Sequence, residues 1–147
     1  MASTYERPRE REVGLGPGAE RALRAVVEAV FARSGAGGEL VLPPAERIAW
    51  VCGEIDDFLA RVSGRSRALV ILSLFAVSVV APLLVRRVGS LASLAPAVRV
   101  RALERFERSA FAPALLAVKA LASVHYYEHP DAAREVGFDG ACLVEDR

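Results

Sequence analysis

One long uncharged segment constrains this chain more than any other feature of its sequence. From Ala68 to Val85, the run ALVILSLFAVSVVAPLLV contains no charged side chain. As an α-helix rising about 1.5 Å per residue it would be roughly 27 Å long, just short of the ~30 Å hydrocarbon core of a bilayer. Arginines bracket it on both sides: Arg65, Arg67, Arg86 and Arg87. Such a segment fits either a membrane span or a helix buried among others.

The residues leave both interpretations of this segment open. Its two serines and Pro82 weaken the case for a span, because proline lacks the N–H that a helix uses, although membrane helices tolerate it. We therefore expect a buried central helix. A small protein with a single membrane span over residues 68–85 is the alternative.

Composition limits the remaining possibilities. The chain has 147 residues, enough for one compact domain, and 53% of them are hydrophobic, which is high for a soluble domain. We expect part of this apolar surface to meet lipid or another protein.

With 19 basic and 18 acidic residues interspersed, no strong positive field exists, and nucleic acid is not an expected partner. The two cysteines, Cys52 and Cys142, suit neither a disulfide framework nor a zinc site and are expected to be reduced.

The start of the chain is charged and lacks the apolar stretch of a secretory signal. Residues 1–15 are predicted to form a disordered charged arm, and residues 16–147 a helical domain. The Arg86-Arg87 pair follows an apolar run and does not precede one, so it is not a twin-arginine export signal. By its own sequence the chain is expected in the cytoplasm, and in the periplasm only if a partner exports it.

The rest of the chain shows helical periodicity. Apolar residues recur every three or four positions after Pro17, after Pro43-Pro44 and after Pro96, and Pro43-Pro44, Pro96 and Pro113 can each open a helix. In the segment after Pro96, the arginines and glutamates from Arg99 to Arg108 are predicted to form a solvated face. The segment after Pro113 is apolar nearly all round, which predicts burial on several sides. The predicted fold is all-α: a single compact domain of five or six helices with a very apolar central helix.

Motifs for chemistry are weak. His125 and His129 are four residues apart, but Pro130 should end their helix and no third ligand has a defined spacing, so we expect no metal site. His125 fits a core or interface histidine and His129 a cap at the corner. The glycines of GLGPG lack a preceding strand, and no nucleophile elbow or Walker loop is present. We do not expect an enzyme.

The segment from His125 to Gly140, HYYEHPDAAREVGFDG, combines aromatic and polar residues with turn signals. Tyrosines suit interfaces because they join a large apolar ring to a hydroxyl. Asp131 is predicted to cap a short helix, Gly137 to end it and Phe138 to fold back as an anchor. The residues alone fit equally a lid over the chain's own core and a docking surface.

The segment from Leu91 to Leu143 resembles the small accessory subunit of flavin-dependent glucose-methanol-choline (GMC) oxidoreductases, the gluconate 2-dehydrogenase subunit 3 type. It is also similar to the helical region that precedes the flavin domain of long-chain fatty alcohol oxidases. The resemblance rests on these positions: Leu91, Leu94, Phe106, Ser109, Lys119, Tyr126, Tyr127, the short helix 132–136, and Gly137-Phe138-Asp139-Gly140. Phe138 stands where the family usually has tyrosine, and the first 90 residues match only in character.

The resemblance implies a non-catalytic subunit that binds and stabilises a separate, larger flavoprotein carrying FAD and the catalytic residues. It implies no cofactor on this chain, and it leaves open a cytochrome or other electron acceptor as a further partner. The central apolar helix would then be covered by the subunit's own helices and by the partner, and membrane contact becomes the lesser expectation. The residues expected at the interface are Phe106, Lys119, Tyr126, Tyr127, His129, Asp131, Phe138 and Asp139.

Overall fold

The structure, a computed structural model, describes residues 14–138. Within that range the chain forms six α-helices in one domain: α1 (Pro17–Val30), α2 (Ala45–Arg61), α3 (Gly64–Leu84), α4 (Pro96–Glu107), α5 (Ala112–Glu128) and α6 (Pro130–Glu135). A two-residue antiparallel pair, β1 (Arg33–Ser34) and β2 (Leu40–Val41), joins α1 to α2, and a 3₁₀ turn (Leu91–Ser93) precedes α4. The all-α prediction is confirmed. Most of the predicted arm, together with Asp139 and Cys142, lies outside the described residues.

Prolines begin several of the helices, as the sequence predicts for Pro96 and Pro113, whereas α6 begins at Pro130, two residues before its predicted start at position 132. Pro17, Pro96, Pro113 and Pro130 each occupy the first or second helical position, where the missing N–H costs nothing. The uncharged helix α3 begins differently. The hydroxyl of Ser63 accepts a hydrogen bond from the Ser66 N–H at 3.2 Å and so caps the helix.

The core forms around α1, which contacts α2, α3, α4 and α5. Its buried face carries Leu23, Val26 and Val27, none of which is accessible to solvent. α2 adds the fully buried Val51, Ile55 and Leu59. The amphipathic stripes predicted for these two helices are therefore the ones that fill the core.

The start of the described chain is held against α2. The backbone N–H of Leu15 donates to the carboxylate of Asp56, and the Leu15 side chain packs on the core. The sequence places this residue in the disordered arm, and the structure instead joins it to the domain.

Close by on α2, burial raises the pKa of Cys52 to about 11, so this free thiol is protonated and unreactive at neutral pH.

Arg99 departs from its prediction as part of a solvated face. Its side chain is only 8% exposed. One guanidinium nitrogen donates to the carbonyls of Ala92 and Leu94, at 3.2 and 3.1 Å, and another pairs with Glu28 on α1. The turn before α4 folds back beneath this arginine, and its carbonyls need a donor away from water. Arg99 therefore fixes α4 to α1.

The apolar helix α3 is central in position but covered on only one side. It packs against α5, α4 and α1 through Leu74, Val77 and Ala81, all fully buried. Among the described residues it is the one helix long and apolar enough by itself to cross a membrane, yet only 22% of its most apolar window is buried. Full burial of this helix, the preferred interpretation of the sequence, is not what the structure shows.

Candidate partner-binding surface

The outer face of α3 is an apolar stripe open to solvent. Five large side chains on this face expose between 42% and 65% of their surface: Leu69, Leu72, Phe75, Val79 and Leu83. Their spacing of three or four residues places them on one side of the helix. We call these five residues the α3 stripe. Contiguous apolar surface of this kind is uncommon on a monomer and marks contact with a protein or a membrane.

A second apolar face lies on α5, which packs along α3. Leu116 and Val124 are 68% and 59% exposed, and the alanine at position 120 between them is also exposed. The sequence predicts burial of α5 on several sides, and this face departs from that prediction. On the neighbouring helix α4, Arg101 and Glu104 are exposed as predicted, and so is Arg108 just beyond its end, whereas Arg99 is buried.

Two tyrosines at the end of α5 form an aromatic corner with Phe31. The ring of Tyr126 stacks on the ring of Phe31 with centroids 3.8 Å apart, and the Tyr127 ring meets both edge-on at 5.4 and 6.2 Å. Tyr126 is 6% exposed and Tyr127 is 46% exposed. The adjacent positions therefore differ: Tyr126 supports the corner from inside, and Tyr127 presents a ring and hydroxyl to solvent.

A buried arginine locks this corner to α6. Arg47 on α2 donates to the Tyr126 hydroxyl at 3.0 Å and forms two hydrogen bonds to the Glu135 carboxylate, at 2.9 and 3.0 Å. This two-point pairing holds the pKa of Glu135 below its usual value and raises the pKa of Arg47. The sequence analysis missed Arg47, because its partners lie 79 and 88 residues away and no local pattern indicates them.

The Glu135 pairing predicts a component of acid sensitivity. A carboxylate whose folded pKa is lowered stabilises the fold above its unfolded pKa, and this stabilisation is lost as the pH falls through the folded value. We expect Glu135→Gln to lose stability less steeply than wild type as the pH drops below 4.5, the ordinary value for glutamate. Urea unfolding at a series of pH values measures this, with Glu104→Gln, another exposed glutamate, as the control. Parallel pH profiles for wild type and Glu135→Gln would contradict the pairing.

The corner between α5 and α6 is capped by a histidine and not by the predicted aspartate. His129 precedes α6, and its Nδ1 accepts the Asp131 N–H at 3.3 Å. Asp131 lies inside the first turn and pairs with Arg134 at 2.6 Å. Gly137 ends the helix with a φ of 80°, as predicted, and Phe138 beyond it is 50% exposed. The sequence analysis assigns His129 this capping role at the corner, and the contact with the Asp131 N–H confirms it.

Phe106 and Lys119, two residues predicted at the partner interface, lie apart from the exposed residues of the aromatic corner. Phe106 is fully buried, so a partner docking on this fold could not touch it. It belongs to the tight turn where α4 gives way to α5, at which the Ser109 hydroxyl donates to the Phe106 carbonyl at 2.7 Å. Lys119 pairs with Glu107 across the same turn. These two residues therefore shape the α4–α5 junction.

His125 is buried and does not join His129 in a ligand set. Its Nδ1 lies 2.9 Å from the Glu128 carboxylate, and its ring faces Phe58. Its Nε2 is buried and has no hydrogen-bond partner among the described residues. The His129 ring instead meets Trp50 edge-on at 5.0 Å. Across residues 14–138, no group of three or more His, Cys, Asp or Glu side chains could hold a metal ion.

The fold and these surfaces define a helical domain with an unpaired apolar side. No protein-family model, no curated protein and no solved structure matches the chain. Its distinguishing features are the α3 stripe on one helix and, at the end of α5, the aromatic corner with Tyr127 exposed.

Proposed function

We propose that this chain is a non-catalytic subunit that binds and stabilises a larger FAD-dependent, GMC-type alcohol or sugar dehydrogenase. The observation that carries the proposal is the α3 stripe, an apolar face that the other described helices leave uncovered. In this assignment the flavin and the catalytic residues belong to the partner. The flavoprotein class comes from the resemblance of residues 91–143, and the need for a partner comes from the exposed stripe.

The stripe can supply useful binding energy. Fully burying a leucine, valine or phenylalanine side chain stabilises by about 1.5–3 kcal/mol. The five stripe residues are already about half covered, so each would add on the order of 1 kcal/mol on docking. A gain of a few kcal/mol, added to polar contacts at the rim, is the scale that separates a stable complex from a transient one.

The aromatic corner supports the same assignment. Tyr127 and Phe138 both expose about half their surface, at opposite ends of the short α6 segment. The Tyr127 ring is positioned by its edge-on packing against Phe31, and Phe138 is positioned by the left-handed turn at Gly137. Exposed aromatic side chains on a fixed backbone lose little entropy on docking and are common interface anchors.

A membrane anchor is the second candidate, and one observation favours it. α3 has 21 residues and passes the length and composition test for a span. Crossing a bilayer, however, would draw Leu74, Val77 and Ala81 out of the core that they form with α1, α4 and α5. Docking against a protein covers the stripe and leaves that core intact, so we favour the protein partner.

Purification of the tagged chain from the soluble fraction of its native cell tests the proposal. We expect a stoichiometric partner of larger mass whose visible spectrum shows bound flavin. Peptide mass spectrometry identifies the partner, and the flavin absorbance gives its cofactor. Recovery of the chain from membranes, alone and colourless, would contradict the subunit assignment and favour the anchor.

A further inference from the structure

A cleft lined by arginines lies where α3 ends against α4. It has a volume of about 420 Å³, and its lining consists of Val85, Arg86, Arg87, Val98, Arg101 and Arg105. Four of these six residues are positively charged and none is acidic. The rest of the chain mixes the two signs of charge evenly, so this concentration is local.

The backbone at the end of α3 directs two of these arginines. The N–H groups of Arg86 and Arg87 return to the carbonyls of Leu83 and Pro82, both at 3.0 Å, which closes the helix. Arg86 takes the left-handed conformation with a φ of 56°, the one non-glycine residue between positions 14 and 138 to do so. Glycine would adopt this geometry with less strain, so the position keeps an arginine side chain at some energetic cost.

The other two arginines come from α4. Arg101 and Arg105 are four residues apart and therefore share a face of that helix. Arg105 also donates to the Leu84 carbonyl at 3.0 Å, which caps the last turn of α3 and ties the two walls of the cleft together. The cleft is thus built on a closed helix end and one rigid helix face.

Stabilisation of the α3 helix end does not account for so many charges. A helix C-terminus carries the equivalent of about −0.5 charge, which a single arginine offsets. Four guanidinium groups exceed this several-fold, and among the described residues no carboxylate pairs with Arg86, Arg87 or Arg101. Like charges gathered without counter-ions repel one another, and a bound anion relieves that repulsion.

We propose that this cleft binds a phosphate-bearing anion. Guanidinium groups donate paired hydrogen bonds that match phosphate oxygens, and several arginines can share the oxygens of one group. The volume falls in the ~300–1,000 Å³ range of small-molecule sites, which leaves room for an organic portion beside the phosphate. Val85 and Val98 in the lining offer apolar contact for that portion. A free phosphate ester and a phospholipid headgroup share this chemistry.

The binding test uses the full chain and inorganic pyrophosphate at low ionic strength, followed by backbone amide NMR. We expect shifts confined to residues 83–88 and 98–105. Arg87→Gln/Arg101→Gln should weaken binding at least tenfold, whereas Arg21→Gln/Arg61→Gln, which removes the same charge from α1 and α2, should leave it unchanged. Equal weakening in both variants would show a general charge effect and overturn the site.

A second arm distinguishes the two ligand sources. Vesicles of phosphatidylglycerol with phosphatidylcholine are compared with vesicles of phosphatidylcholine alone by co-sedimentation. Binding to the anionic vesicles that Arg87→Gln/Arg101→Gln abolishes and Arg21→Gln/Arg61→Gln retains identifies a lipid headgroup, and pyrophosphate binding without vesicle binding identifies a free ester. Absence of binding to both probes overturns the proposal. Because neither probe is a protein, failure here leaves the proposed flavoprotein partner unaffected.

Discussion

Phe106→Ala is expected to lower the free energy of unfolding by about 3–5 kcal/mol, the cost of deleting a large buried ring and leaving a cavity. The ring is fully buried, and its centroid lies 6.3 Å from that of Phe111 across the α4–α5 turn. Loss of the ring removes contacts on both sides of this turn, where the chain changes direction by 120°. Urea unfolding followed by circular dichroism measures the change.

The matched control for this substitution is Phe75→Ala on the α3 stripe. Phe75 is 65% exposed, so the same chemical change should shift the unfolding free energy by no more than about 1 kcal/mol. The comparison holds residue type constant and varies only burial. A loss at Phe75 as large as that at Phe106 would mean that the stripe is packed within this chain's own fold, and the surface argument would then fail.

The helices and several of their starts could be predicted from the sequence because their signals are local. Prolines that lack an N–H mark helix starts, as at Pro96 and Pro113, and apolar spacing marks the core faces of α1 and α2. The left-handed end of α6 at Gly137 is likewise set by the residue itself. None of these features depends on a distant contact.

The exposed faces could not be predicted, because the sequence of α3 does not distinguish one side from another. Leu72 and Leu74 are both leucines and lie two positions apart, yet Leu74 is fully buried and Leu72 is 62% exposed. Only the placement of α1, α4 and α5 decides which side is covered. In an amphipathic helix such as α1, charged residues mark the outer side, and α3 has none between positions 68 and 85.

In the candidate site, too, local features could be predicted from the sequence and the positions set by distant contacts could not. A pattern of aromatic residues indicates a cluster, but it cannot separate Phe106 in the core from Tyr127 at the surface. The buried arginines Arg47 and Arg99 resemble solvated residues until their partners Glu135 and Glu28 are known. Long-range ion pairs of this kind carry no local signal, which explains why charge spacing alone misplaced Arg99.

The largest functional effect is expected from Leu72→Gln/Phe75→Gln/Val79→Gln, three changes at the centre of the α3 stripe. Glutamine is a good helix former, so α3 should persist and the core face should be unaffected. At on the order of 1 kcal/mol for each lost apolar contact, partner affinity should fall by about 100-fold or more. Affinity is measured by titrating the purified partner onto the immobilised chain, and circular dichroism verifies that the helices remain.

The control for this variant is Leu40→Gln/Val41→Gln/Leu42→Gln in and beside the short β2 strand, where three apolar residues are 36–39% exposed. These changes add the same polar groups away from α3 and should leave partner affinity within about threefold, since exposed residues outside an interface contribute little. Loss of affinity in this control with retention in the stripe variant would move the interface to the hairpin. Because α3 has lost no core residue in the stripe variant, a folded chain that no longer binds assigns the outer face of α3 to the partner.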